Sequence, residues 1–168
     1  MAKDLKESKL FTPYKLNDKV TLRNRTIRSA AFESMGKDFN PTQKLKDYHV
    51  SVAKGGVGMT TLAYASINRS GVSFNSQLWL RDEVIEPLKD ITDAIHAEGA
   101  AAGIQIGHCG NMTHWSTAGS FPVSASNGFN LYSPTFHRRM THDEIRQTAK
   151  DFGKAVHLAH ESGFDSVE

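Results

Sequence analysis

Apolar and polar positions along the chain change period several times, and each change marks an element. From Leu10 to Leu22 short apolar groups alternate around Pro13 and the turn-forming pair Asn17-Asp18, the pattern of a small hairpin. Thr26 to Phe32 (TIRSAAF) reads as a short strand. Asn40-Pro41-Thr42 then predicts a helix entry with Thr42 or Asn40 as cap. The helix stripe is Leu45, Tyr48 or His49, and Val52, and Gly55-Gly56 ends it because glycine tolerates the left-handed exit. Val57 to Ser66 (VGMTTLAYAS) is β-branched and apolar with few charges, as a buried parallel strand should be.

A second helix follows a loop, with Asp82 as its cap, Pro87 near the first turn, Leu88, Ile91 and Ile95 as its buried stripe, and Gly99 as its stop. Ala101 to Ile106 (AAGIQI) is a third strand. His108 to about Met140 is an uneven, polar loop, too long for a plain connector and therefore of the kind that carries function. Thr141-His142-Asp143-Glu144 has capping-box spacing and starts a third helix. Its stripe is Ile145, Ala149, Phe152, Val156 and Ala159, and Gly163 closes it before a new strand opens at Phe164.

Alternating strands and helices predict an α/β protein with a parallel sheet and right-handed crossovers. The pattern alone leaves open whether the sheet is an open doubly wound layer or a closed barrel. A full (β/α)8 barrel takes about 250 residues. As a barrel, this chain supplies three strand-helix units and the start of strand four, an N-terminal half entered through a hairpin. Residues 1–9 are polar and expected to be flexible, leaving 10–168 as the partial barrel domain.

Composition narrows the class. The 168 residues are 39% hydrophobic and 23% charged, the balance of one soluble globular domain. A formal charge of +2 gives no reason to expect nucleic acid or an anionic membrane as partner. The single cysteine, Cys109, has no internal disulfide partner, and the polar start lacks the apolar core of a signal peptide. A cytoplasmic location is expected. No apolar run approaches the ~20 residues of a membrane-spanning helix.

Several groups are candidates for chemistry. Gly55-Gly56-Val57-Gly58 invites a phosphate-loop reading, but such a loop must follow a strand and open a helix, and here the order is reversed. His108, Cys109 and His114 have zinc-binding side chains, yet no second Cys/His pair stands at motif spacing, so no metal is expected. Neighbours on an extended segment point to opposite faces, which separates the Cys109 thiol from the His108 imidazole. His137-Arg138-Arg139 reads as a solvated loop. Gln105 is an uncharged amide in an apolar strand near its carboxyl end, either satisfied by its surroundings or placed for a ligand, since parallel α/β folds bind ligands at that end. Glu33 and Tyr64 fall on the same rim.

Six segments, in order and spacing, resemble the Old Yellow Enzyme family of NADH:flavin oxidoreductases. They are Leu10-Phe11-Thr12-Pro13, Leu22-Arg23-Asn24-Arg25, Arg28-Ser29-Ala30, Lys54-Gly55-Gly56-Val57-Gly58, Gln105-Ile106-Gly107-His108-Cys109-Gly110, and Glu161-Ser162-Gly163-Phe164-Asp165-Ser166-Val167-Glu168. The resemblance implies an FMN-binding TIM barrel that passes hydride from NAD(P)H through flavin to an activated alkene such as an enone. It places the backbone of Ala30, Ala31 and Phe32 against the flavin ring, Tyr64 near its pyrimidine edge and the Gln105 amide in hydrogen-bond contact with it. Glu33 and His108 fall on the substrate side.

Departures from the family pattern are Ala30-Ala31 where Pro or Ala then Met or Thr is common, the bulk of Tyr64, and Asn111 in place of an arginine. The family's carbonyl-binding His pair or His/Asn pair, its proton-donating Tyr and its phosphate-binding strands would all follow Glu168. No catalytic residue is therefore expected within these positions, and the chain alone is expected to turn over poorly. The non-enzymatic alternative is a half-barrel that only binds or self-associates through exposed strand edges, two copies closing eight strands.

Overall fold

The computed structural model describes residues 8–168. Residues 1–7 of the expected flexible stretch lie outside the described residues, whereas Ser8 caps a short 3-10 turn, Lys9–Phe11, through its hydroxyl. Strands β1 (Tyr14–Lys15) and β2 (Thr21–Leu22) pair antiparallel as the expected hairpin. The Asn17 side chain accepts from the amides of Lys19 and Val20 and so closes its turn.

Four parallel strands follow, each beside its predecessor: β3 (Ile27–Arg28), β4 (Met59–Ser66), β6 (Ala101–Gly107) and β10 (Ser166–Val167). Between them run the helices α1 (Gln43–Lys54), α2 (Ile85–Ala97) and α4 (His142–Glu161). Neighbouring order with helical crossovers is half of an eight-stranded barrel. Leu62, Ala65, Ala102 and Ile104 of the sheet meet Leu45 and Ala53 of α1, Leu88, Ile91 and Ile95 of α2, and Ala155, Leu158 and Ala159 of α4 in one buried core.

Strand one is shorter than the pattern predicts. A dipeptide strand, β5 (Leu78–Trp79), pairs with Ala65 and Ser66 at the upper end of β4, so the chain leaves the ladder after Arg28 and residues 29–32 run free of the sheet. Thr42 rather than Asn40 caps α1, its hydroxyl accepting from the Leu45 amide. His49, not Tyr48, is the buried member of that helix's stripe, and Ala53 replaces Val52. Asp82 does not cap α2 with its side chain: it opens a 3-10 turn, Asp82–Val84, whose backbone leads directly into the helix.

The long connection after β6 is not plain loop. It holds a single helical turn, α3 (Trp115–Ala118), and the strands β7 (Val123–Ser124), β8 (Gly128–Asn130) and β9 (Thr135–Arg139), ordered β7-β9-β8. His137-Arg138-Arg139 therefore lies in a strand, with His137 buried and its Nδ1 3.0 Å from the Ser126 carbonyl. Asn111 anchors this excursion by accepting from the Asn130 side chain at 2.8 Å.

The capping box at Thr141 and Glu144 forms as expected. Of the expected stripe of α4 only Ala159 is buried: Ile145, Ala149, Phe152 and Val156 are exposed, and the face that meets the sheet is Ala155, Leu158 and Ala159. Small residues let this helix lie close to β6, so the bulkier apolar positions turn outward. Among the described residues no helix is long and apolar enough to cross a membrane.

Candidate functional site

The alternation of the barrel strands decides what faces the interior. Leu62, Ala102 and Ile104 point to the helices, so Thr61, Gly103 and Gln105 point inward. A Cβ built on Gly103 would stand 3.0 Å from the Thr61 hydroxyl and 3.5 Å from that of Ser166, which places all three in one layer. One step nearer the carboxyl ends, the Gln105 amide stands 3.3 Å from a Glu168 carboxylate oxygen. Barrel interiors are usually filled by bulky branched residues. Here the inner layers are small and polar.

At the same height β4 breaks register with β6 between Leu62 and Ala65. The irregular step brings Tyr64 inward opposite Gln105. The Tyr64 ring lies over Gly107, where a Cβ would meet it at 3.2 Å, and its centroid is 6.2 Å from that of Phe32. Phe32 in turn stacks on Phe74 at 5.4 Å, and both rings are exposed. The Tyr64 hydroxyl is 2.8 Å from Ser73 Oγ, and burial pushes its pKa up, so the phenol keeps its proton at neutral pH. The same shell holds Cys109, whose thiol is likewise pushed up by burial and is a poor nucleophile.

The free stretch between β3 and Glu33 is clamped at both ends. Arg28 Nη1 donates to Glu33 Oε1 and to the Thr61 carbonyl, each at 2.6 Å, and its Nη2 donates to the Ala31 carbonyl at 3.2 Å. Glu33 Oε2 accepts the Ala63 amide at 3.1 Å, where β4 breaks register. His49 Nε2, wholly buried, stands 3.3 Å from Glu33 Oε1, and its Nδ1 meets Thr60 Oγ1 at 2.8 Å. The Glu33 side chain is only 4% exposed. Its carboxylate is thus spent on protein donors that hold residues 29–32 in place. Within that loop the amides of Ala30, Ala31 and Phe32 make no hydrogen bond among the described residues.

Of the residues the sequence singles out, Phe32, Tyr64 and Gln105 come together at this mouth, with Ala30 and Ala31 at its edge. His108 turns elsewhere. Its ring packs against Gly71, its Nδ1 accepts the Gly110 amide at 3.0 Å, and burial lowers its pKa. His114 caps α3 through its side chain. Arg28, His49 and Phe74 belong to the mouth and its support; the sequence offers Arg28 only within the Arg28-Ser29-Ala30 motif and His49 only as a stripe position, and it gives no signal for Phe74.

The sequence profile of the NADH:flavin oxidoreductase / NADH oxidase family matches residues 9–168. The chain belongs to that family. The description of that family pairs NADH with a flavin. The chain is 31% identical over 159 residues to the 4,4'-dithiodibutanoate disulfide reductase of Rhodococcus erythropolis, covering 95% of this chain and 39% of that protein. It is 33% identical over 165 residues to the NADPH dehydrogenase of Listeria welshimeri, covering 96% and 47%. Morphinone reductase in complex with tetrahydroNAD superposes with a TM-score of 0.86 at 24% identity, covering 95% of this chain and 48% of that one. The chain therefore spans less than half the length of these relatives.

Proposed function

We propose that the chain forms the flavin-facing first half of an FMN-dependent oxidoreductase that passes hydride from NAD(P)H to an activated alkene, an enone-like small molecule. The observation that carries the reading is the row of unbonded amides at Ala30, Ala31 and Phe32, held by the Arg28–Glu33 clamp. Ligand sites of parallel α/β folds lie at this end of the strands.

The residues present fit a flavin. Ala30 and Ala31 have no bulk to keep a flat ring from the backbone, and the Gln105 amide, with one long partner at 3.3 Å, has capacity to orient a polar ring edge. The exposed, stacked rings of Phe32 and Phe74 offer an apolar surface against which a flat ring can pack. Tyr64, protonated, offers a donor, although its hydroxyl already engages Ser73. FMN, when bound, supplies the hydride relay. Glu33 serves as a positioning residue for the loop rather than a substrate contact, because every oxygen it has is engaged by the protein. His108 packs its ring against Gly71 and lines the cavity under the excursion.

The test is a visible spectrum of the chain refolded with excess FMN and desalted, alone and together with the carboxyl-terminal half of the Listeria welshimeri NADPH dehydrogenase. Flavin is expected to be held weakly by the chain alone, firmly by the complemented barrel, and about tenfold less tightly after Gln105→Leu, the loss of roughly one hydrogen bond. Colourless protein in both arms, or affinity unmoved by Gln105→Leu and by Glu33→Ala, sinks the reading. The alternative of a half-barrel that only self-associates draws its support from the open edges of β3 and β10.

A further inference from the structure

Between the excursion and the first turns of α4 lies a cavity of about 270 Å³, lined by none of the residues of the barrel mouth. Hydrogen bonds along one wall all run in the same direction. With Nδ1 of His108 accepting from Gly110, the neutral ring carries its proton on Nε2, 3.3 Å from Ser70 Oγ. Ser70 donates to Asn68 Oδ1 at 2.9 Å, and Asn68 Nδ2 donates to Asp151 Oδ2 at 2.7 Å. From the helix side, Gln147 Nε2 donates to Asp151 Oδ1 at 2.8 Å.

The chain of bonds ends on a carboxylate, each of whose oxygens accepts from one side-chain amide. Asp151 receives only neutral amides: among the described residues no Lys or Arg lies within ion-pair distance of it. The other two charges of the lining cancel, because Arg138 grips Glu144 through both carboxylate oxygens, at 2.5 and 2.8 Å. With His108 kept neutral by burial, the cavity carries one uncompensated negative charge. Phe121, Val123 and Met140 supply an apolar side. A carboxylate without a cationic partner favours a positively charged ligand, and an apolar wall favours one with a body to cover it. A metal ion is disfavoured, since no group of three or more His, Cys, Asp or Glu among the described residues is placed to hold one.

We propose that this cavity binds a small organic cation, a protonated primary amine with an apolar body, its ammonium on Asp151 and its body against Phe121, Val123 and Met140. The site shares no residue with the proposed flavin mouth, so it stands or falls independently of that reading.

The experiment titrates the 168-residue chain with benzylamine and, separately, with benzyl alcohol, by calorimetry and by amide NMR shifts. Benzylamine is expected to bind saturably, shift the amides of Ser70, Gly110 and Gln147, and bind at least about tenfold more tightly than the alcohol. Asp151→Asn removes the charge but keeps the shape and should erase that preference, whereas Arg138→Met frees Glu144 and should strengthen amine binding. Equal binding of alcohol and amine, shifts confined to other surfaces, or a preference for the amine that survives Asp151→Asn overturns the proposal. If Asp151→Asn does not fold, judged by its NMR dispersion, the amine-to-alcohol ratio and Arg138→Met decide.

Discussion

Arg23 stands in the Leu22-Arg23-Asn24-Arg25 run, and its guanidinium joins three elements at the amino-terminal end of the sheet. Nε donates to the Val57 carbonyl at 2.9 Å, Nη1 to the Glu98 carbonyl at 2.7 Å, and Nη2 to the Ala53 carbonyl. Ala53 and Glu98 lie at the ends of α1 and α2, where carbonyls lack helical partners and the helix dipole favours a cation. Gly58, in the next motif, passes under the same turn: a Cβ there would stand 2.5 Å from the Asn24 carbonyl oxygen. Replacing Arg23 by Met keeps the stem and removes the fork, and is expected to cost about 2–3 kcal/mol. Urea denaturation measures this; a change under about 0.5 kcal/mol would mean that water replaces the guanidinium without loss.

Helix α4 shows how an element can be legible in position and misleading in orientation. Its start is written in the Thr141–Glu144 box and its end in Gly163, which adopts a φ of 82°. Two apolar faces share the helix, and only packing selects between them. Leu158→Ala is expected to destabilise the protein by about 2–5 kcal/mol. Phe152→Ser, on the exposed face, should change stability by less than about 0.5 kcal/mol while raising solubility. Thermal melts of the two variants should separate them cleanly; equal losses would place the stripe in the core after all. The helix start also responds to acid. Arg138 and the Thr141 amide hold the Glu144 carboxyl down from 4.5 to about 2. Its folded value is the depressed one, so its contribution is present above the ordinary carboxylate range and is lost as pH falls from about 4.5 towards 2. Amide exchange at Ile145 and Thr148 should quicken over that window, and Glu144→Gln should remove the pH dependence.

At the scale of the molecule, β3 and β10 are edges with one parallel neighbour each, and Ile27 and Val167 on them are exposed. Unpaired edges beside apolar side chains drive association. Two copies joined edge to edge would complete eight strands, but each copy brings three crossover helices, which leaves the face of Ile145, Phe152 and Val156 uncovered. The solution mass of the isolated chain is therefore expected to rise with concentration beyond a dimer, as measured by light scattering. A sharp, concentration-independent monomer would mean that the edges are protected by their own twist and by flanking charges such as Arg28 and Glu168.

The sequence by itself determined the alternation of barrel strands and helices, the start of α4, the glycine stops and the family, because these reside in local chemistry: the Thr141–Glu144 box as a start, glycines as stops, and motifs in fixed order. It also marked Gln105, since an amide in an apolar strand is costly unless it is hydrogen-bonded. Only the tertiary structure decided where strand one leaves the sheet, because the competing strand Leu78–Trp79 comes from some fifty residues further on. The same holds for the burial of Glu33 against Arg28 and His49, and for the direction that His108 faces. Those are contacts between distant segments, and no local period encodes which of two apolar faces, or which of two polar partners, a side chain will meet.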